Sequence, residues 1–195
     1  MDKKKVLIIF DCFGVLYGRV VLPYLESLFY PEDAKSRLHL YTYPTDHGRG
    51  HFTDIAKWIE QDSGIPYDES IAKMKNISKA NRPLFKYIKE NLHDKVYVGL
   101  LSNCARGQLE FVAEEGLHPA SVADLTLLSY QTGLTKPDFR FYEKLIGMFK
   151  VDFEEIYMVD DSEENIKALE GTIVKGIHYK NNKELFKQLD EILNK

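Results

Sequence analysis

Four short segments of this chain carry groups that the transfer of a phosphoryl unit requires: a carboxylate, a hydroxyl beside an amide, an ammonium and an acidic pair. The first is Asp11, which ends the apolar run Val6-Leu7-Ile8-Ile9-Phe10 and leads through Cys12 and Phe13 to Gly14. Consecutive apolar residues before a charge suit a strand covered on both faces. The carboxyl end of such a strand is where an open α/β sheet keeps its chemistry. The second segment, Ser102-Asn103, follows another apolar run and puts a hydroxyl and an amide where a parallel sheet would bring them beside Asp11. The third, Gly133-Leu134-Thr135-Lys136-Pro137-Asp138, holds a lysine able to neutralise an anionic intermediate, with Pro137 and Asp138 suited to a turn into a helix. The fourth is Asp160-Asp161-Ser162 with Asn165. Adjacent carboxylates repel and call for a cation, and a hard divalent ion such as Mg²⁺ prefers oxygen ligands with some waters retained. Singly, each has an ordinary explanation: Asp11 or Ser102-Asn103 in a turn, Lys136 as a solvated side chain, Asp160-Asp161 as a helix cap and its neighbour. All four in this order, three of them directly at the ends of apolar runs, make coincidence a poor account.

The elements that would position these groups alternate. Strand-like runs recur at Val96 to Leu101, Leu125 to Leu128, Ile156 to Val159 and Ile173 to His178, and helical spacing falls between them at Gln108 to Glu115, Phe141 to Phe149 and Glu163 to Glu170. Glu184 to Leu193 is an amphipathic terminal helix. Strands alternating with helices predict an α/β fold, a Rossmann-like parallel sheet with right-handed crossovers. From about Val20 to Asn81 the pattern breaks: no buried-strand signal occurs, while Tyr24-Leu25-Leu28-Phe29 and Phe52-Ile55-Ala56-Ile59 have helical spacing. We expect a small helical insertion there, residues 20–81, on a core of 1–19 and 82–195. Within it, Pro44 to His51 reads as a polar, histidine-bearing loop.

Bulk properties bound the rest. A chain of 195 residues holds one good core, or a core plus a small accessory lobe. A net charge of -4 and the absence of a Lys/Arg stripe with interleaved aromatics give no reason to expect nucleic acid. No apolar run approaches the roughly 18 residues of a membrane helix. The Lys3-Lys4-Lys5 start has an apolar stretch too short for a signal peptide and no cleavage site, and the only cysteines, Cys12 and Cys104, suit a reducing compartment. A cytoplasmic protein is expected.

The segments Ile9 to Val15, Leu100 to Asn103, Gly133 to Asp138 and Met158 to Asn165 resemble the four motifs of the haloacid dehalogenase superfamily of hydrolases, and the resemblance covers nearly the whole chain. It implies a Rossmann-like domain with a helical cap inserted after the first motif. It implies Asp11 as the nucleophile that becomes an aspartyl-phosphate, Ser102 and Asn103 as holders of the phosphoryl oxygens, and Lys136 as the bridge between nucleophile and phosphoryl group. Mg²⁺ would be held by Asp160 and Asp161 together with the Asp11 carboxylate and the backbone carbonyl of Phe13. The substrate implied is a small phosphorylated metabolite.

Phe13 departs from that pattern. Most phosphatases of the superfamily carry a second aspartate there, which protonates the leaving group and then activates water; a phenyl ring moves no proton, a loss of roughly 10²- to 10⁴-fold unless another group supplies the step. Three readings follow. The first is a Mg²⁺-dependent phosphatase that acts on an activated ester or borrows a cap group, with Asp46, His47 and His51 as candidates. The second is a 2-haloacid dehalogenase, since those enzymes place an aromatic residue at this point and halide leaves without a proton; the acidic pair Asp160-Asp161 argues against it. The third is a binding protein whose catalysis is weak or lost. Cys12 and Cys104 invite a redox reading, but two buried thiols packing as hydrophobes is the expectation. Trp58 is expected in the core of the insertion, and His178 and Tyr179 as the finish of the last strand. Arg49 and Arg106 have the chemistry to meet an anionic tail, with solvation as their ordinary state. The sequence spells out neither the substrate nor the oligomeric state.

Overall fold

The computed structural model describes residues 3–195. Its frame is a parallel sheet of β1 (Val6–Phe10), β2 (Tyr97–Ser102), β3 (Leu125–Leu128), β4 (Glu155–Asp160) and β5 (Val174–His178), in the order β3-β2-β1-β4-β5. The central strand β1 lies between β2 and β4, with Phe10 opposite Leu100 on one side and Val159 on the other. Its uniformly apolar sequence follows from that place: Val6, Ile8 and Phe10 enter one apolar cluster, Leu7 and Ile9 the other, on the opposite face. Tyr157 and Val159 of β4 join the first cluster, Ile156 and Met158 the second. The carboxyl ends of β1, β2 and β4 therefore reach one rim of the sheet together.

Four helices, α1 (Val21–Glu26), α2 (Pro31–Asp46), α3 (Asp54–Ser63) and α4 (Tyr67–Ile77), lie between β1 and β2. The chain then continues through α5 (Arg82–Tyr87) and a π-helical turn, Ile88–Leu92, into β2. Later come α6 (Gln108–Val112), a 3₁₀ turn (Pro119–Val122), α7 (Ser129–Thr132), α8 (Phe139–Met148), α9 (Glu163–Lys167) and α10 (Asn182–Leu193). Several stop earlier than their spacing predicts. The helix begun at Gln108 ends at Val112, before Gly116, because Glu114 turns away: its N–H donates to the Tyr17 hydroxyl and its carboxylate accepts from the Ala80 N–H, each within 2.9 Å. Ile173 stands outside β5 and is 66% exposed. The expected loop from Pro44 to His51 begins later than its composition suggests, since Pro44, Thr45 and Asp46 complete α2. That helix is hard to read because it buries a narrow line, Ala34, Tyr41 and Thr45, while a second, polar side faces a cavity. Trp58 packs half-buried against the main cluster, its ring 6.0 Å from Tyr41.

The segment between β1 and β2 is fastened to the sheet domain at two places. Its ingoing and outgoing strands touch: Gly18 N–H donates to Lys79 C=O at 3.0 Å and Asn81 N–H to Leu16 C=O at 2.8 Å. At its middle, Phe52 N–H donates to Arg106 C=O at 2.9 Å and the His51 ring lies over Gly107. A Cβ on Gly107, whose φ is +78°, would come within 2.0 Å of His51 Nε2. Val21, Tyr24, Phe52, Ile55 and Ile59 of the insertion share one apolar cluster with Ile8, Phe10 and Val98 of the sheet. Among the described residues no helix is long and apolar enough to cross a membrane.

Gly107→Ala is expected to lower stability in urea unfolding by more than the roughly 1–2 kcal/mol that a left-handed backbone costs an L-residue. Adding His51→Ala should recover the excess and leave the backbone part.

Candidate active site

The first segment is aimed by the register of the sheet. Asp11 N–H donates to Val159 C=O at 2.9 Å, so the Asp11 side chain emerges beside Asp160, the last residue of β4. Behind it the chain closes a tight loop, with the Tyr17 N–H donating to Cys12 C=O at 2.8 Å and the Gly14 N–H to Tyr17 C=O at 2.6 Å. Gly14 has φ +106°, and a Cβ there would lie 2.1 Å from Asp161 Oδ2. Glycine is thus required twice over, by backbone angle and by the carboxylate seated against it.

Lys136 is delivered by the loop between α7 and α8. The Asn103 side chain grips its backbone from both sides: Lys136 N–H donates to Asn103 Oδ1 at 2.8 Å, and Asn103 Nδ2 donates to Lys136 C=O at 3.0 Å. Held there, the Lys136 ammonium reaches Asp11 Oδ1 at 2.7 Å and Asp160 Oδ2 at 2.6 Å, with its side chain only 2% exposed. Asp160 also accepts from the Ser162 N–H at 2.8 Å and from Asn165 Nδ2 at 3.0 Å. Ser162 caps α9, which puts Asn165 one turn along and facing back. Asp161 accepts from Arg19 Nε at 2.8 Å.

The charges answer one another. Burial pulls the Lys136 ammonium down, but Asp11 and Asp160 outweigh it and hold its pKa above the ordinary lysine value. Burial also lifts Asp11; Lys136 opposes that and Asp160 reinforces it. Asp161 is raised by burial, with Arg19 opposing. Three carboxylates, Asp11, Asp160 and Asp161, present oxygens within 4.8 Å of one another. One buried ammonium balances only part of that charge. A hard divalent cation fits the donor set, and Gly14 leaves the room that Asp161 occupies.

The cavity above these groups holds about 630 Å³ and is lined by Asp11, Phe13, Asn103, Lys136 and Asp161 from the sheet side and by α2 from the other. The structure brings together Asp11, Lys136, Asp160 and Asp161. Ser102 is fully buried at the end of β2, its hydroxyl 3.3 Å from the Asn103 carbonyl. The Asn103 side chain, expected on phosphoryl oxygens, lines the cavity and is also engaged with the Lys136 backbone. Asp46 and His47 line the cavity, whereas His51, pinned on Gly107, does not. Nor do Arg49 and Arg106, the latter over the Tyr130 ring at 5.9 Å. The cavity's arginine is Arg19, which no motif announces. Cys12 and Cys104 are free and buried.

A parallel α/β sheet with carboxylates and a lysine at its carboxyl rim defines a hydrolase-type site. Residues 6–171 match the haloacid dehalogenase-like hydrolases, and the chain belongs to that family. The fold is similar to a predicted HAD-like family hydrolase from Porphyromonas gingivalis, at TM-score 0.74 and 18% identity over 100% of both chains. It is similar to a HAD family enzyme from Bacteroides thetaiotaomicron in complex with magnesium and inorganic phosphate, at TM-score 0.71 and 18% identity, covering 94% of this chain and 99% of that one. A 2-haloacid dehalogenase from Pseudomonas syringae pv. Tomato DC3000 follows at TM-score 0.58 and 16% identity, covering 100% and 99%. At these identities the likeness is one of fold. No curated protein matches this chain.

Lys136→Met leaves Asp11 and Asp160 buried without their cation, which is expected to cost about 3–5 kcal/mol at pH 8. The loss should shrink toward pH 5 as the stranded carboxyls take up protons, measured as melting temperature against pH.

Proposed function

We propose that this protein is a Mg²⁺-dependent hydrolase of small phosphorylated metabolites, working through an aspartyl-phosphate on Asp11. The observation that carries the reading is the cluster of Asp11, Asp160 and Asp161 around Lys136. When bound, Mg²⁺ would supply charge neutralisation at the phosphoryl oxygens, held by these three carboxylates and the Phe13 carbonyl. Asp11 attacks phosphorus, and Lys136 keeps that carboxylate oriented and offsets the charge that spreads over the equatorial oxygens. Ser102 serves the phosphoryl group, and Asn103 positions Lys136. Residues 20–81 act as the cap, over a core of 1–19 and 82–195. The Bacteroides thetaiotaomicron enzyme with magnesium and phosphate supports this choice of ligands.

One observation favours a second reading, a 2-haloacid dehalogenase: Phe13 lines the cavity two residues after Asp11, where the phosphatase pattern has an acid. Expulsion of halide needs none. Against it, the acidic cluster would repel the carboxylate of a 2-haloacid, as opposed to a phosphoester that shares a cation with it.

Release of phosphate from p-nitrophenyl phosphate or acetyl phosphate is expected to require Mg²⁺, to stop on chelation and to vanish in Asp11→Asn. Dechlorination of 2-chloropropionate that survives chelation would replace this reading with the second.

A further inference from the structure

We infer that Asp46, at the carboxyl end of α2, is the proton donor of this site, standing in from the cap for the acid that Phe13 omits. The assignment rests on the phosphoester reading above.

Asp46 lines the same cavity as Asp11, Phe13 and Lys136, though it comes from the far side of the chain's inserted segment. Among the described residues its carboxylate has no hydrogen bond and no ion pair, unlike those of Asp11, Asp160 and Asp161. Two features of its surroundings favour the protonated form. Burial pushes its carboxyl up to about 7. It is the last residue of a helix of 16 residues, whose carbonyl end disfavours a negative charge. An acid that titrates near the working pH is what proton transfer in both directions needs.

The ionisable groups around it leave it free to act. Asp11 and Lys136 of the sheet rim are engaged with each other, Arg19 is held by Asp161, and the Cys104 thiol is kept protonated by burial. On its own helix, Lys35, His39 and Tyr43 line the cavity further along, and Asp160, Asp161 and Glu164 line it from the sheet rim and the α9 side. His47 is the competing donor. Its Nδ1 lies 2.7 Å from the Tyr43 carbonyl, and substitution separates the two, since a His47 donor would leave the alkyl limb unchanged in Asp46→Asn.

The steps balance. The Asp11 oxygen forms its bond to phosphorus as the ester P–O bond breaks, the electron pair passing to the leaving oxygen, which takes the proton of Asp46. Water then attacks the aspartyl-phosphate and loses its proton to the Asp46 carboxylate; the Asp11–phosphorus bond breaks, restoring both aspartates and releasing phosphate.

The test compares p-nitrophenyl phosphate, phenyl phosphate and a simple alkyl phosphate with the full-length protein in Mg²⁺, across pH 5.5 to 9. The first leaving group needs no proton and the last cannot leave without one. In the wild type, alkyl phosphate turnover should fall as pH rises through about 7, because the acid is lost. Asp46→Asn should remove that limb and slow release of the alcohol in the first turnover by roughly 10²- to 10⁴-fold, while first-turnover release of p-nitrophenol falls far less. Asp46→Glu should restore part of it. A melting temperature for Asp46→Asn at or above wild type at pH 8 is also expected: a carboxyl raised in the fold weakens stability once pH climbs past its unfolded value, and the amide removes that cost. Equal slowing of first-turnover leaving-group release from all three esters, or an unchanged alkyl limb, overturns the role of Asp46 while leaving the aspartyl-phosphate reading intact. Absence of Mg²⁺-dependent turnover of every ester in the wild type overturns both.

Discussion

Between the carboxyl ends of the two strands at the middle of the sheet lie two buried carboxylates with one ammonium wedged between them. Taking Asp11, Asp160 and Lys136 out of water together costs several kcal/mol per ion, and only short contacts to both acids offset it. Much of the surrounding structure serves those contacts. The β1–β4 register sets the carboxylates side by side, Asn103 clamps the backbone that carries the lysine, and the α9 cap returns Asn165 to the second acid. The remaining charge, Asp161, is parked against Gly14 and tied to Arg19.

This arrangement divides labour between the two walls of the cavity. The sheet rim is charged and closely hydrogen-bonded. The α2 wall carries groups with few obligations, set on a helix that is fixed by a thin apolar line and by the docking of the segment just after it. One wall is thus a cluster of mutually paired charges, and the other a row of side chains with fewer partners. The shared apolar cluster keeps the two walls from parting freely.

The central frame was legible because it obeys simple periodicities. β1 and β4 are apolar on both faces and end in aspartate, and no helix-forming pattern competes with them. Boundaries were less legible where tertiary contacts override local preference, as at Val112, where Glu114 is drawn to Tyr17 and Ala80. The site divided in the same way. Asp11, Lys136, Asp160 and Asp161 stand in segments whose spacing and chemistry are local, so a reader of the sequence meets them. Arg19 has no pattern to betray it, since its partner lies 142 residues further along the chain. Asn103 was legible as a polar group at a strand end, but its engagement with a backbone more than thirty residues on was not. Pro44, Thr45 and Asp46, the last residues of α2, looked like a loop because lining a cavity and lining a loop both favour polar side chains.

The wedge of Lys136 has a consequence for how the chain comes together. Asp11 is separated from Lys136 and Asp160 by more than half of the 195 residues. Until they meet, β1 has a carboxylate at its tip with no partner and lacks one of its two flanking strands. The middle of the sheet is therefore closed by pairings of long sequence separation, which are the slow kind. The strand that carries Asp11 is apolar on both faces and can be buried only when segments far along the chain have come to lie on either side of it.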